Sequence, residues 1–135
     1  MRAYLDTNVF VYAVGRGDRR QPIAINLIDQ HPDSVVNVQV LNEFTSVLRK
    51  PRFGWDYDLI DALRTVTILG LVGQVVPVTL DDHRAAFELS RAHNLNIYDG
   101  VHVASALKAG CDVMFTEDLQ HGRRFGALEI VNPFS

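Results

Sequence analysis

Short apolar runs alternate with segments of helical periodicity along this chain, and that alternation restricts its fold more than any other feature. Ala3–Leu5, Val35–Val38, Gln74–Val78, Asp112–Phe115 and Leu128–Val131 read as strands. Between the first two, Asp6-Thr7-Asn8 offers capping side chains to an apolar helix from Val9 to about Val14, and Pro22 opens a second helix that runs to about Gln30. Apolar residues at 40, 41, 44, 47 and 48 predict a helix over Val40–Arg49, ended by Pro51. Further helices are predicted over Asp56–Leu69, over Asp81–His93 with two aspartates at its start, and over Tyr98–Ala109 with Asn96 as cap and Gly110 as stop. Strands separated by helices imply right-handed βαβ crossovers, hence an α/β fold with a mostly parallel sheet covered on both faces. At 135 residues with no internal repeat, one domain spanning 1–135 is expected.

In such sheets ligands bind outside the carboxyl ends of the strands, so the residues at those turns carry the functional information. Four are acids: Asp6 directly after the first strand, Glu43 one turn into the helix after the second, Asp99 at the opening of a later helix, and Asp118 shortly after the Asp112–Phe115 strand. Taken singly each has an ordinary explanation. Asp6 can cap its helix, Asp99 can complement a helix dipole, Asp118 can be a turn aspartate, and Glu43 can sit on a solvated face. Taken together they suit Mg²⁺, a hard cation held by a few carboxylates that acts on phosphate oxygens. Clustered acids without a cation repel one another, which raises their pKa values and favours metal recruitment.

Composition narrows the partners. With 13 basic against 16 acidic residues and a net charge of −3, broad charge neutralisation of nucleic acid is disfavoured and any such contact is local. Arg16, Arg19 and Arg20 after the first helix, and Arg123 and Arg124 after the fourth strand, are candidates for a substrate phosphate, although solvated loop charge is the favoured explanation because arginines are common on loops. The five histidines, at 31, 83, 93, 102 and 121, lack metal-helix spacing and are expected to be structural or superficial. Trp55 and Tyr57 are expected at a core edge or subunit interface rather than stacked on bases. The lone Cys111 cannot form an internal disulfide, and neither an export signal nor a run of ~20 apolar residues is evident, so a cytoplasmic protein without a membrane span is expected.

Tyr4-Leu5-Asp6-Thr7-Asn8, Gln39-Val40-Leu41-Asn42-Glu43-Phe44, Tyr98-Asp99 leading into Ala104-Ser105-Ala106, and Phe115-Thr116-Glu117-Asp118-Leu119 follow one another across nearly the whole chain. In this order they resemble the PIN-domain family, specifically the VapC-type toxins of prokaryotic toxin–antitoxin pairs. The closing Val131-Asn132-Pro133-Phe134 is also similar to the ends of such toxins. The resemblance implies a PIN-like three-layer α/β/α fold with a five-stranded parallel sheet in the order 3-2-1-4-5, and a Mg²⁺- or Mn²⁺-dependent endoribonuclease. It carries Asp6, Glu43, Asp99 and Asp118 over as the acidic site, with Asn8 and Thr116 orienting carboxylates or water. RNA as substrate, a homodimer, and silencing by a cognate VapB-type antitoxin are likewise implied by the resemblance.

The chain departs from its relatives at Gly100, where alanine is frequent; glycine costs ~1 kcal/mol against alanine inside a helix, so either a looser helix start or a closely packed neighbour is expected. Whether Asp118 or Glu117 faces the metal stays open, with the Thr-x-Asp match favouring Asp118. Two rival readings share the fold class. A receiver-like phosphate-accepting domain requires an acceptor aspartate ending a middle strand and a lysine ending a later one, and neither is found. A PIN-like interaction module without turnover is opposed by the acids retained at all four positions.

Overall fold

The computed structural model describes residues 1–135. Its order is β1 (Ala3–Leu5), α1 (Thr7–Val14), α2 (Gln21–Gln30), β2 (Val35–Asn37), α3 (Val38–Arg49), α4 (Tyr57–Arg64) continuing into a π-helical turn (Thr65–Leu69), β3 (Gln74–Val76), α5 (Leu80–His93), α6 (Ile97–Lys108), β4 (Val113–Phe115), β5 (Arg124–Phe125) and β6 (Leu128–Val131). The sheet runs β3-β2-β1-β4-β6-β5, with every pair parallel except β5 with β6. The five parallel strands therefore stand in the order that the resemblance implies. The sixth strand is an addition. Gly126, at φ +60°, occupies the first position of a two-residue turn that folds Arg124–Phe125 back onto Leu128–Glu129, where a residue with a Cβ would be strained.

The central strand β1 is fully buried, as apolar strands between two parallel neighbours must be. Successive strands β1, β2 and β3 step in one direction, while the connection from β3 returns across the sheet to β4. Right-handed crossovers then place α1 to α4 on one face and α5 with α6 on the other. The packing agrees, since α1 lies against α2 and α3, and α5 lies along α6. Tyr4, Phe10, Phe44, Leu48, Ile68, Met114 and Ile130 fill the core between these layers. Each such side chain contributes ~1.5–3 kcal/mol by leaving water.

Several helix ends differ in detail from the sequence expectation. Thr79, not an aspartate, caps α5: its Oγ1 accepts the Asp82 N–H, and the Asp82 carboxylate accepts the Thr79 N–H in return. The helix expected over Asp56–Leu69 keeps α geometry only to Arg64; the β-branched run Thr65-Val66-Thr67-Ile68 crowds a regular turn, and the chain widens there. At Gly100 a Cβ would stand 2.8 Å from the Ala86 carbonyl oxygen and 2.3 Å from Ser90 Oγ, so the glycine lets α6 lie directly on α5. No helix is long and apolar enough to cross a membrane.

Candidate active site

The strand registers bring the turn residues together before any side chain is considered. Leu5 pairs with Phe115, and the Asp6 N–H donates to the Phe115 carbonyl at 3.1 Å, so Asp6 and Thr116 emerge side by side at the carboxyl edge. β2 ends at Asn37, whose Oδ1 caps α3 through the Val40 N–H and whose Nδ2 donates to Ser105 Oγ of α6 at 2.9 Å. That bond ties the start of α3 to α6 beneath the cleft. Asp6, Glu43, Asp99 and Asp118, with Thr7, Asn8, Ser46, Lys50 and His102, line one cavity of about 290 Å³.

Asp6 is buried, and both of its oxygens are held: Oδ1 accepts from the Thr7 N–H and Oδ2 from Thr116 Oγ1, each at 2.7 Å. Thr116 Oγ1 in turn accepts the Asp118 N–H at 3.1 Å, so one hydroxyl fixes two of the acids. Asn8 Nδ2 donates to Asp118 Oδ2 at 3.2 Å and to Glu117 Oε1 at 3.3 Å. Glu117 is turned away from the cavity toward the Tyr12 hydroxyl, with the Arg20 guanidinium 3.9 Å from its other oxygen. Asp118 is thus the acid of this pair that lines the cleft.

Glu43 has a support that sequence reasoning assigned no role. Its Oε1 accepts from Thr7 Oγ1 and meets His102 Nε2, both at 2.7 Å, while the buried His102 Nδ1 lies 2.7 Å from the Tyr4 hydroxyl. A carboxylate only accepts, so Nε2 carries the hydrogen. The three-residue step from Asp99 to His102 on α6 was the available signal, since it puts both on one helix face. Asp6, Glu43 and His102 each place a donor atom within 4.8 Å of the others. Because both imidazole nitrogens are already engaged, the histidine serves as a brace, and the carboxylate oxygens are the atoms that could hold a cation.

The electrostatics show an excess of negative charge. Burial, reinforced by the charges of Asp6, Asp99 and Glu117, pushes the Asp118 carboxyl up to about 6. Asp99 is also raised, by burial and then by Asp6. Burial would raise Glu43 as well, but the His102 hydrogen bond and charge, with Thr7 and Gln39, hold it below its ordinary value. For His102 burial opposes protonation, and the Asp6 charge and the bond to Glu43 outweigh it. A site that raises two of its acids is one that a divalent cation would relieve, and its all-oxygen donor set matches a hard ion.

The arginine candidates lie elsewhere. Arg123 donates to the His93 carbonyl at 3.2 Å and stacks over Phe125, while Arg124 reaches Glu129 at 3.8 Å, level with the amino-terminal half of β4. Arg16 lies beside Phe53 and Trp55 in a separate cavity. The cation that does line the cleft is Lys50, at the end of α3.

Comparison with known proteins agrees with this architecture. Among solved structures the chain is similar to Mycobacterium tuberculosis VapC20, a sarcin-ricin loop cleaving toxin, with TM-score 0.71, 24% identity, and coverage of 86% of this chain and 91% of that one. It is similar to a toxin–antitoxin complex from Klebsiella pneumoniae at TM-score 0.69 and 16% identity, covering 98% of both chains. VapBC2 from Rickettsia felis, bound to a DNA fragment from its promoter, aligns at TM-score 0.68 and 15% identity over 96% of this chain and 97% of that one. At these identities the likeness is one of fold. No curated protein matches the chain. The PIN domain family model matches residues 3–124, from the first strand to the start of the terminal hairpin, and the chain therefore belongs to the PIN domain family.

Proposed function

We propose that this chain is a divalent-metal-dependent endoribonuclease, the toxin of a VapBC-type pair, acting in the cytoplasm as a homodimer and silenced by a VapB-type antitoxin. The observation that carries the reading is the convergence of Asp6, Glu43, Asp99 and Asp118 on one cleft, with the pKa values of Asp99 and Asp118 raised by burial and then by their acidic neighbours. Similarity in fold to VapC20 and to toxin–antitoxin complexes supports the biological setting.

In this reading Asp6, Asp99 and Asp118 hold Mg²⁺ or Mn²⁺. When bound, the ion supplies the Lewis acidity that activates water and neutralises charge building on the phosphoryl oxygens. Thr116 and Thr7 fix the carboxylate planes of Asp6 and Glu43, and Asn8 fixes that of Asp118. Glu43 Oε2, whose neighbour is Gln39 Nε2 at 3.5 Å, is free to accept a hydrogen from the attacking water. The water oxygen bonds to phosphorus as the P–O bond to the leaving nucleotide breaks, and the negative charge of the leaving oxygen is quenched by a proton from solvent.

The test is cleavage of mixed-sequence RNA by the purified protein. We expect cleavage with Mg²⁺ or Mn²⁺, none with excess chelator, and a loss of at least about a hundredfold in Asp99→Asn. Undiminished cleavage in chelator, or by that variant, contradicts the proposal; specific metal binding with no turnover on any RNA favours an interaction module instead.

A further inference from the structure

A second cavity, also about 290 Å³, adjoins the acidic one and shares Glu43 and Ser46 with it; its remaining lining is Gln39, Asn42 and Tyr98. From Gln39 the helix steps three or four residues to the adjacent pair Asn42 and Glu43, then to Ser46, and then to Lys50 at its C-cap, so these residues form one continuous polar stripe along α3. From Gln39 to Lys50 the helix rises ~16 Å, long enough to follow a strand past the acids on both sides.

The two ends of the stripe have different chemistry. At the Lys50 end an ammonium without an ion-pair partner stands beside four carboxylates, where a phosphate group complements it. At the other end, Glu43 apart, the lining is uncharged. The carboxamides of Gln39 and Asn42 each offer a donor and an acceptor, the combination a nucleobase edge requires, and that of Asn42 makes no hydrogen bond within the chain. Tyr98 is 57% exposed beside them, directly before Asp99, and its backbone is held by the first turn of α6, whose Asn96 cap accepts the Tyr98 N–H at 2.9 Å. A large aromatic kept in water on a rigid helix start is a stacking platform.

We propose that this second cavity is a nucleobase subsite: it takes one unpaired base of the RNA strand next to the cleaved phosphate, stacked on Tyr98 and read by Asn42 and Gln39, while Lys50 holds a backbone phosphate on the far side. The inference rests on the endoribonuclease reading and adds to it the residues that recognise one flanking base, and with them a sequence preference at that position. Duplex RNA is excluded because its bases are stacked and its edges paired, leaving no face for the tyrosine.

Fluorescence anisotropy with labelled ten-nucleotide single strands of A, C or U, and with a matched duplex, tests this in the inactive Asp6→Asn background. Tyr98→Ala is expected to weaken single-strand binding at least about fivefold and to leave duplex binding unchanged, with Tyr98→Trp restoring affinity. Asn42→Ala should alter the ranking of the homopolymers. Lys50→Gln should weaken all single strands equally and reduce the slope of log affinity against log salt by about one. Equal binding by Tyr98→Ala and its parent, or equal losses on single strand and duplex, overturns the subsite. Metal-dependent RNA cleavage by the otherwise unaltered Tyr98→Ala protein, at the parent rate and with the parent sequence preference, would overturn the subsite while leaving the nuclease reading intact; absence of cleavage by the wild type removes both.

Discussion

His102 Nε2 and Glu43 Oε1 meet at 2.7 Å, joining the inner face of α6 to the cleft-lining edge of α3 across 59 residues of sequence. The contact holds Glu43 in one rotamer, and the Tyr4 hydroxyl on the other ring nitrogen holds the imidazole in turn. A carboxylate supported in this way presents its second oxygen to the cleft without a conformational search, the usual service of groups that surround metal ligands.

This relationship predicts a graded loss. His102→Leu should keep the fold but release Glu43, lowering cleavage by about ten- to a hundredfold at subsaturating metal. His102→Gln, whose amide can still donate to Glu43, should recover much of it. Metal titrations of the cleavage rate in both variants check this; equal rates in the two would show that the imidazole merely fills space.

Asp118 links the site to pH. In metal-free protein its carboxyl is raised to about 6 against an ordinary value near 3.8, so the folded state binds the extra proton between those values. Stability should therefore fall as pH rises from about 4 to 6, because there the native state holds more protons than the unfolded chain. Asp118→Asn removes the effect and should raise the melting temperature at pH 7, with the gain vanishing below about pH 4. The gain stays below about 1 kcal/mol, because Asp118 is desolvated on its cleft side but keeps much of its surface in water, which screens its charge. Thermal melts in chelator at both pH values read the difference, and a loss of stability in Asp118→Asn at pH 7 would contradict it.

Gly100 sets the seat of Asp99. Alanine there would gain ~1 kcal/mol of helix propensity, yet its Cβ would press on the Ala86 carbonyl, a backbone atom with little freedom to yield. Overpacking of this kind costs ~1–3 kcal/mol, so Gly100→Ala is expected to be net destabilising by up to about 2 kcal/mol in urea denaturation. A more stable variant would mean that α5 and α6 part without cost.

These relationships also show where the sequence was legible. Asp6, Asn8 and Thr116 sit within a residue or three of strand ends, and local capping and strand register carry them to the sheet edge with no distant information. The parallel, doubly covered sheet follows from the alternation of elements and crossover handedness, whereas the order of its strands is implied only by the resemblance to PIN domains. His102 was set aside because its significance arises only when α6 packs over β1 and α3, bringing Tyr4 and Glu43 from 98 and 59 residues away. Arg123 and Arg124 drew notice as cations after a strand, but the two-residue β5 was too short to read, and its hairpin carries Arg124 to the amino-terminal half of the sheet. Lys50 carries no motif and Tyr98 only adjoins one, and it is the contact between their two neighbouring cavities through Glu43 and Ser46 that gives them a continuous surface.

The central claim is that Asp6, Asp99 and Asp118, far apart in the sequence, hold a divalent ion in the cleft they share with Glu43, and calorimetric titration of Mn²⁺ into the metal-free protein measures this without reference to any substrate. The account predicts saturable binding at no more than two sites per chain, weakened at least about tenfold in Asp6→Asn and in Asp99→Asn while both variants keep the wild-type circular dichroism spectrum. Unchanged Mn²⁺ affinity in folded Asp6→Asn and Asp99→Asn would contradict it.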